Sequence, residues 1–411
     1  MRDRGLAGEL LGERVIGRHG NKSSEIFDKA MAHPALEAVA RSLDQPVSLV
    51  GGAVRHLLLG EQLSTDLDLV VEGDGVSAAR KMAELLTERL VIHDRFGTAT
   101  VHLETGTHLD FVTARRESYS EPGALPDVEP STLDDDLRRR DFTINAIALR
   151  LNGPRAGELE DPVDGVSDLA SRRVRFHHRR SFVDDPSRIV RAARYAARLG
   201  FTLDGSTEAA ARSEAPGLDW GSGRNAEELK RMFQEPNPEA ARVLLRTWGA
   251  PGLAEGVSRP DAVAISAALA APGAPDVELW ALLLGLGATG NLLDVVALPG
   301  WSVEQARGAA EGQAVAGELS ACSAPSAVDA LLAQRAPSAG IVAAAVGAPA
   351  VGRWWAEDRD RTLEISGTDL LDAGVMQGPA VGRGMAAARA AMLDGCACTR
   401  EEQLATALAA A

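Results

Sequence analysis

Two carboxylates, Asp66 and Asp68, stand two residues apart in the segment DLDLVV. The alternation of acidic and apolar residues predicts a β-strand, on which side chains two apart point to the same face. Such a pair could hold two Mg²⁺ ions about 4 Å apart, as in two-metal phosphoryl transfer. Asp110 in HLDFV alternates in the same way and could act in catalysis, either by completing the metal site or by assisting the nucleophile. Spacing alone favours an exposed strand face for the pair, and a strand-end position explains Asp110 equally well.

A glycine pair lies upstream of these carboxylates. Gly51 and Gly52 follow the short apolar segment VSLV and precede an apolar helical pattern. Glycines at a strand-to-helix turn let backbone amides approach a triphosphate, and Arg55 would neutralise part of its charge. An ordinary strand-to-helix turn accounts for the same residues.

A third set of polar residues lies on SFVDDPSRIVRAARYAARLGF, whose periodicity predicts one amphipathic helix ending near Gly200. Asp185 and Arg188 are three residues apart and share a face if both are helical. Arg191 and Arg194 continue that face and could reach phosphates, or they form a solvated stripe. Asp185 followed by Pro186 is also typical of a helix N-cap, and the residues alone favour the cap.

The elements around these residues predict the fold. Residues 47–151 alternate between strand and helix patterns, with a strand meander at 90–115 and a Pro- and Gly-rich loop from Glu117 to Thr132. This indicates an α+β N-terminal head with a small mixed sheet. Strand patterns stop after Asp161, and the rest of the chain is predicted to be all-α.

The predicted order along the chain has five segments. These are an N-terminal helical arm at 1–46, the head at 47–152, a helical neck at 153–235, a helical body at 236–355 and a helical tail at 356–411.

The charge distribution and the cysteine count limit which ligands the protein could bind and in which compartment it could act. The net charge of the chain is −15, yet residues 138–198 contain fourteen Arg against eight acidic residues. This local excess of positive charge suits a phosphate-bearing ligand, although an arginine-rich face exposed to water explains it as well. Three Cys residues exclude a disulfide scaffold and indicate a reducing, cytoplasmic location. Neither an apolar run of about 18 residues nor a signal peptide is recognised, so no membrane partner is expected.

Several segments together resemble the family of class II tRNA nucleotidyltransferases and bacterial poly(A) polymerases. They are LVGGAVRHLLLG, DLDLVV, RFGTATV, ARRESY, RRRDFTINAIA and VDDPSRIVRAARYAARLGF, in the family's order. The similarity is dense from Val47 to about Met232 and returns weakly in residues 366–382. Two positions depart from the family pattern: His56 stands where Asp is usual, and Asp184 stands where Glu is usual.

The resemblance implies a reaction in which nucleotides from CTP and ATP are added to the 3′ acceptor end of tRNA without a nucleic-acid template. It implies that Asp66 and Asp68 hold two Mg²⁺ ions, and that Gly51, Gly52 and Arg55 hold the triphosphate. Arg140 would contact the incoming nucleotide. Asp141 would orient the nucleotide or its ribose.

The resemblance also gives the neck helix a part in base choice, carried by Asp185 and Arg188. Cytosine and adenine each present an exocyclic amine beside a ring-nitrogen acceptor. A carboxylate accepts from the amine and a guanidinium donates to the ring nitrogen. Guanine and uracil present a carbonyl oxygen in place of the amine, which Asp185 would repel.

Three alternatives stay open. The protein could be a poly(A) polymerase of the same family, although RFGTATVHL resembles the nucleotidyltransferase version of that strand and the chain has no long basic tail. It could be a non-catalytic RNA-binding protein, which the intact carboxylates and arginines argue against. It could also add only part of CCA. In the family that the chain resembles, members restricted to adding the two cytidines are shortened in this segment, whereas this chain keeps Ala114–Asp141 in full. The resemblance therefore implies that the protein adds the terminal A.

Overall fold

The computed structural model describes residues 22–93, 97–118, 123, 126–253, 262–274, 282 and 303–411. The chain divides into two compact units, Met1–Ala215 and Pro216–Ala411. Residues 1–21 of the predicted N-terminal arm, six positions of the predicted loop and part of the predicted body lie outside the described residues. The finer division into five segments stays a prediction.

The first unit is built on a seven-stranded sheet. Its strands are β1 (Val47–Val50), β2 (Asp66–Val71), β3 (Arg89–His93), β4 (Thr98–His102), β5 (His108–Thr113), β8 (Ala148–Arg150) and β9 (Leu159–Glu160). They lie in the order β3-β4-β5-β2-β1-β8-β9. Strands β2 and β5 pair in parallel, whereas the other neighbours are antiparallel, so the predicted mixed sheet is confirmed.

Burial alternates along β2 and β5 as the sequence pattern predicts. Leu67 and Leu69 on β2, like Leu109 and Phe111 on β5, are completely buried. Because successive side chains on a strand point to opposite faces, the acidic residues between them share the other face.

Helices surround the sheet where helical spacing predicts them. The first helix, α1, covers 22–31, and it is followed by α2 (Pro34–Ser42), α3 (Gly52–Leu59), α4 (Gly75–Leu86) and α5 (Leu133–Arg138). Helix α4 begins where Asp74 accepts a hydrogen bond from the Ser77 backbone N–H at 3.0 Å. This side-chain cap satisfies a backbone donor that the helix leaves unpaired and fixes where the helix starts.

The loop predicted from Glu117 to Thr132 is partly wrong. Strands β6 (Arg115–Ser118) and β7 (Asp127–Pro130) pair as an antiparallel hairpin, with an Arg116–Glu129 ion pair across it. Segment DVEP has little strand propensity of its own, so the pairing with β6 decides its conformation.

The expectation that strands stop after Asp161 is also wrong. Two-residue strands β10 (Arg173–Val174) and β11 (Thr202–Leu203) pair in parallel, and they are too short to show periodicity in a sequence. The remaining helices of this unit are α6 (Gly165–Ala170), α7 (Ser181–Asp184), α8 (Ser187–Leu199) and α9 (Gly205–Glu214).

The single neck helix predicted over 181–201 is broken into α7 and α8. Asp185 between them is extended, with φ −140° and ψ 94°. The ring of Pro186 disfavours helical backbone in the residue before it, so the chain leaves the helix at that point. The predicted end is confirmed, since Gly200 terminates α8 in the left-handed conformation at φ +62°.

The described part of the second unit is helical, as predicted. Its α-helices of eight or more residues are Gly223–Gln234, Pro238–Thr247, Ala262–Leu269, Val303–Ser320, Pro325–Leu332, Pro337–Ala345, Pro379–Leu393 and Arg400–Ala410. Across the described ranges of both units, no helix has the length and apolarity needed to cross a membrane.

Candidate active site

The turn between β1 and α3 brings the glycine pair against the sheet carboxylates. Gly51 has φ +69°, a conformation that favours glycine, and it precedes α3. A Cβ atom at Gly51 would lie 3.1 Å from Oδ2 of Asp68 and 3.2 Å from Nη1 of Arg140. The absence of a side chain therefore lets the turn, a carboxylate and a guanidinium meet at the start of α3, whose backbone N–H groups attract anions.

The three predicted carboxylates lie together on one face of the sheet. The parallel register sets Asp68 opposite Asp110 and Asp66 opposite His108. Asp66 is exposed and lies 3.4 Å from Nδ1 of His108, whereas Asp110 accepts a hydrogen bond from Thr100 Oγ1. Burial raises the pKa of Asp68, and the carboxylates of Asp110 and Asp66 raise it further against the lowering influence of Arg140.

This carboxylate face fits a divalent cation. Within the part of the chain that the structure describes, no three His, Cys, Asp or Glu side chains form a complete metal site. Mg²⁺ is usually bound by one or two carboxylates together with substrate phosphates and water, so a complete protein cage is not needed. Burial and then the neighbouring carboxylates raise the pKa of Asp68, and a bound cation would favour its charged form, which supports the fit.

A residue that the sequence analysis missed, Asp136, holds the arginines of RRRDF in place. Asp136 is completely buried, and its two oxygens accept hydrogen bonds from Arg139 and Arg140. Burial works to lower the pKa of Arg140, but Asp136 and Asp68 outweigh it, so its pKa is raised. The signal was present in DDDLRRR, where Asp136 precedes Arg139 and Arg140 by the helical spacings of three and four.

Asp141 is the centre of a second polar cluster. Its Oδ1 accepts hydrogen bonds from the Phe142 backbone N–H at 2.7 Å and from Asn145 Nδ2 at 2.9 Å. Its Oδ2 accepts from Nε and Nη2 of Arg191 at 2.8 and 2.5 Å. Burial works to raise the pKa of Asp141, but Arg191, Asn145 and then Arg188 outweigh it and hold that pKa far below its usual range.

Arg55, expected to bind the triphosphate, lies inside the protein beside that cluster. Its side chain is buried, it donates to Asn145 Oδ1, and its guanidinium carbon lies 5.3 Å from the centre of the Tyr195 ring. The free-protein geometry therefore links Arg55 through Asn145 to Asp141. A role for Arg55 and Gly52 in triphosphate binding stays a prediction.

Asp185 and Arg188 are neighbours, although the prediction that both are helical is wrong because of Pro186. Asp185 Oδ1 accepts from the Ser187 backbone N–H at 3.1 Å and from Ser187 Oγ at 2.6 Å, which is the capping interaction that the sequence favoured. Its Oδ2 lies 4.0 Å from Arg188 Nε. Arg188 is buried and donates to Ser181 Oγ and to the Arg139 carbonyl oxygen at 2.9 and 3.1 Å.

Arg188 reaches a pocket of about 490 Å³ that is rich in arginine. Strand β6, helix α5 with the residue after it, and the segment from His178 to Arg188 contribute its lining, which consists of Arg116, Glu117, Ser118, Asp135, Arg138, Arg139, His178, Arg180, Asp184 and Arg188. Five guanidiniums against three carboxylates suit an anionic ligand. Arg194 lies one turn beyond Arg191 on α8 and is half-buried.

Comparison with known families identifies the class of domain that this mixed sheet, with its carboxylates and glycine turn, belongs to. Residues 47–175 match the poly A polymerase head domain. A CC-adding tRNA nucleotidyltransferase of Deinococcus radiodurans is 42% identical over 241 residues, which cover 58% of this chain and 64% of that protein. An A-adding tRNA nucleotidyltransferase of Halalkalibacterium halodurans is 38% identical over 208 residues, 49% of this chain and 48% of that protein. The chain thus aligns with less than two thirds of each relative.

Solved structures of similar fold cover nearly the whole chain. A CCA-adding enzyme in an apo form has a TM-score of 0.72 and 28% identity over 98% of both chains. A complex of a CCA-adding enzyme with ATP has a TM-score of 0.70 and 27% identity over 98% of this chain and 97% of that one. The Thermotoga maritima CCA-adding enzyme complexed with tRNA-CCA has a TM-score of 0.63 and 26% identity over 91% of this chain and 93% of that one. The chain thus contains a poly A polymerase head domain at residues 47–175, and over nearly its whole length it is similar in fold to solved CCA-adding enzymes.

Proposed function

We propose that this protein is a template-independent tRNA nucleotidyltransferase that adds CCA, or its terminal A, to tRNA 3′ ends from CTP and ATP. The observation that carries the proposal is the meeting of Asp68, the Gly51 turn and Arg140 at the start of α3. A carboxylate, free backbone amides and a guanidinium are the groups that a metal-bound triphosphate needs. The names of the relatives and the ligands of the similar solved structures support the substrate class.

In this proposal the carboxylates of Asp66 and Asp68 hold Mg²⁺, with Asp110 beside them. Mg²⁺ stabilises negative charge on the attacking and leaving oxygens of a phosphoryl transfer. Arg140 lies between Asp136 and the glycine turn, so its guanidinium is oriented before a nucleotide arrives. Such preorganisation avoids the free-energy cost of ordering a long side chain during binding.

Base choice is assigned to Asp185 and Arg188, next to the arginine-rich pocket. Arg188 has little freedom to move, because it is buried and hydrogen-bonded to Ser181 and Arg139. A guanidinium fixed in this way can favour a ring-nitrogen acceptor over a ring N–H donor. Asp185 can accept from an exocyclic amine with the oxygen that does not cap Ser187.

We assign tRNA binding to the helical body and tail. Duplex RNA is recognised largely through its shape, phosphates and 2′-hydroxyl groups, so these segments need no sequence motif. The predicted cytoplasmic location belongs to the same proposal.

The decisive experiment offers the protein three tRNAs, which end before the first C, before the second C and before the A, with each labelled nucleoside triphosphate in turn. We expect C on the first two and A on the third. Repeated addition of A to unstructured RNA would instead identify a poly(A) polymerase. Binding of tRNA without incorporation of any nucleotide would identify a non-catalytic RNA-binding protein.

A further inference from the structure

His177 lies next to Asp141 and has no part in the function proposed above. Phe142 and Phe176 form an antiparallel bridge, and the Thr143 N–H donates to the Arg175 carbonyl oxygen at 2.9 Å. Continuing the register of this isolated bridge by one residue sets His177 opposite Asp141, and the charge of Asp141 acts on the imidazole. Directly opposed residues of an antiparallel pair direct their side chains to the same face.

The imidazole of His177 is closed off and unsatisfied. Neither ring nitrogen reaches solvent or has a hydrogen-bond partner among the described residues. Burial lowers the pKa of His177 to about 4; Arg188, His178 and Arg175 lower it as well, whereas Asp141 raises it. The ring is therefore neutral at pH 7, with one N–H donor available. Buried polar atoms without partners are rare and destabilising, so the two ring nitrogens of His177 need an explanation.

All hydrogen-bond acceptor positions of the Asp141 carboxylate are occupied in the free protein. A carboxylate has about four acceptor positions, and the Phe142 N–H, Asn145 and the two bonds from Arg191 occupy four. A nucleotide hydroxyl can bind Asp141 only if a donor leaves. Arg191 is the donor best able to leave, since its side chain is 28% exposed, whereas Phe142 donates from the backbone and Asn145 is buried.

We propose that His177 is a positioning residue for Asp141, donating its imidazole N–H to the carboxylate when Arg191 turns toward a bound nucleotide. Asp141 would then exchange two bonds from Arg191 for one from His177 and one from the ribose. Without that replacement the carboxylate would be left buried and underpaired, which is strongly unfavourable. This inference rests on the proposed function and on the part assigned there to Asp141.

Kinetics of incorporation test the proposal. We expect His177→Leu to raise KM for both CTP and ATP by about tenfold, as for loss of a hydrogen bond to a charged group, with a smaller change in kcat. His177→Asn, which keeps an N–H donor, should restore much of the affinity. His33→Leu is the control, because His33 also has a buried ring nitrogen without a partner but lies on the N-terminal side of α2. An unchanged KM in His177→Leu would overturn the proposal.

A second measurement needs no activity. NMR of ¹³C-labelled histidine follows the pKa of His177 in the wild-type protein and in Arg191→Lys and Arg191→Ala. Without the Arg191 guanidinium, the imidazole of His177 can hydrogen-bond the Asp141 carboxylate. We therefore expect the pKa of His177 to rise by about one unit or more. A pKa that stays unchanged in a folded Arg191 variant would overturn the proposal. If the wild-type protein incorporates no nucleotide, the proposed function fails, and the NMR result still decides whether His177 can replace Arg191.

Discussion

Replacing the buried Asp136 with Asn tests how the proposed site is held together. Its Oδ1 accepts from Arg139 at 2.9 and 2.6 Å, and its Oδ2 accepts from Arg140 at 3.2 and 3.0 Å. Burial works to raise the pKa of Asp136, but Arg140 and Arg139 outweigh it and lower that pKa. Asn keeps the shape and removes the charge, so two largely buried guanidiniums lose the carboxylate that binds both of them, although Glu117 still pairs with Arg139 and the charge of Asp68 still acts on Arg140. Removing one partner of a buried ion pair typically costs 3–5 kcal/mol, so we expect a loss of about that size.

The matched control is Asp134→Asn on the same helix. Asp134 is exposed and pairs with Arg138 at 2.7 Å. Water screens such a pair, so this variant is expected to unfold close to the wild-type urea concentration. The two substitutions change the same atoms on one helix, but Asp136 is buried and binds two arginines, whereas Asp134 is exposed and binds Arg138.

Urea unfolding followed by far-ultraviolet circular dichroism, with hydrogen exchange of peptides covering 133–150, measures the change. Tryptophan fluorescence does not report on this unit, because all six tryptophans lie beyond residue 215. Since the pKa of Asp136 is lowered in the folded state, its stabilisation is present above about pH 4 and is lost as the pH falls through the lowered value. The difference between wild type and Asp136→Asn should therefore shrink in acid. Equal urea midpoints for Asp136→Asn and Asp134→Asn at pH 7 would refute the reasoning.

Three further substitutions address catalysis and specificity. Asp68→Asn should abolish incorporation without lowering the melting temperature, because burial and the neighbouring carboxylates disfavour its charge; activity near wild type would mean that the metal site is misassigned. Asp185→Asn keeps an acceptor for Ser187 but removes the charge, so the variant should incorporate UTP and GTP more often than the wild-type protein does. If the variant keeps wild-type nucleotide selectivity, the role of Asp185 is limited to capping α8. Deleting Ser120–Pro130, which includes β7, should block A addition to tRNA ending in CC but spare C addition, as assays on the two tRNAs would reveal; equal loss of both steps would indicate a folding role.

Local features of the sequence were enough to predict most elements of the first unit. Acidic and apolar residues alternate along DLDLVV and HLDFV, and side chains on a strand alternate between its two faces. This predicts that Asp66, Asp68 and Asp110 lie on the face opposite the buried apolar residues. Gly200 predicts the end of α8, because few other residues adopt its left-handed conformation at low cost. The Asp-Pro step also marks the break before α8, although the amphipathic pattern suggested a continuous helix.

Long-range contacts decided the rest. Only the parallel pairing of β2 with β5 sets Asp110 opposite Asp68, and strand order is not encoded in local periodicity. The segment DVEP becomes strand β7 because it forms antiparallel hydrogen bonds with β6. Asp136 acquires its importance, and His177 its lack of partners, from burial by residues distant in sequence. Sequence spacing determines which side chains can share a face, whereas tertiary packing determines which charges lose water and must be paired.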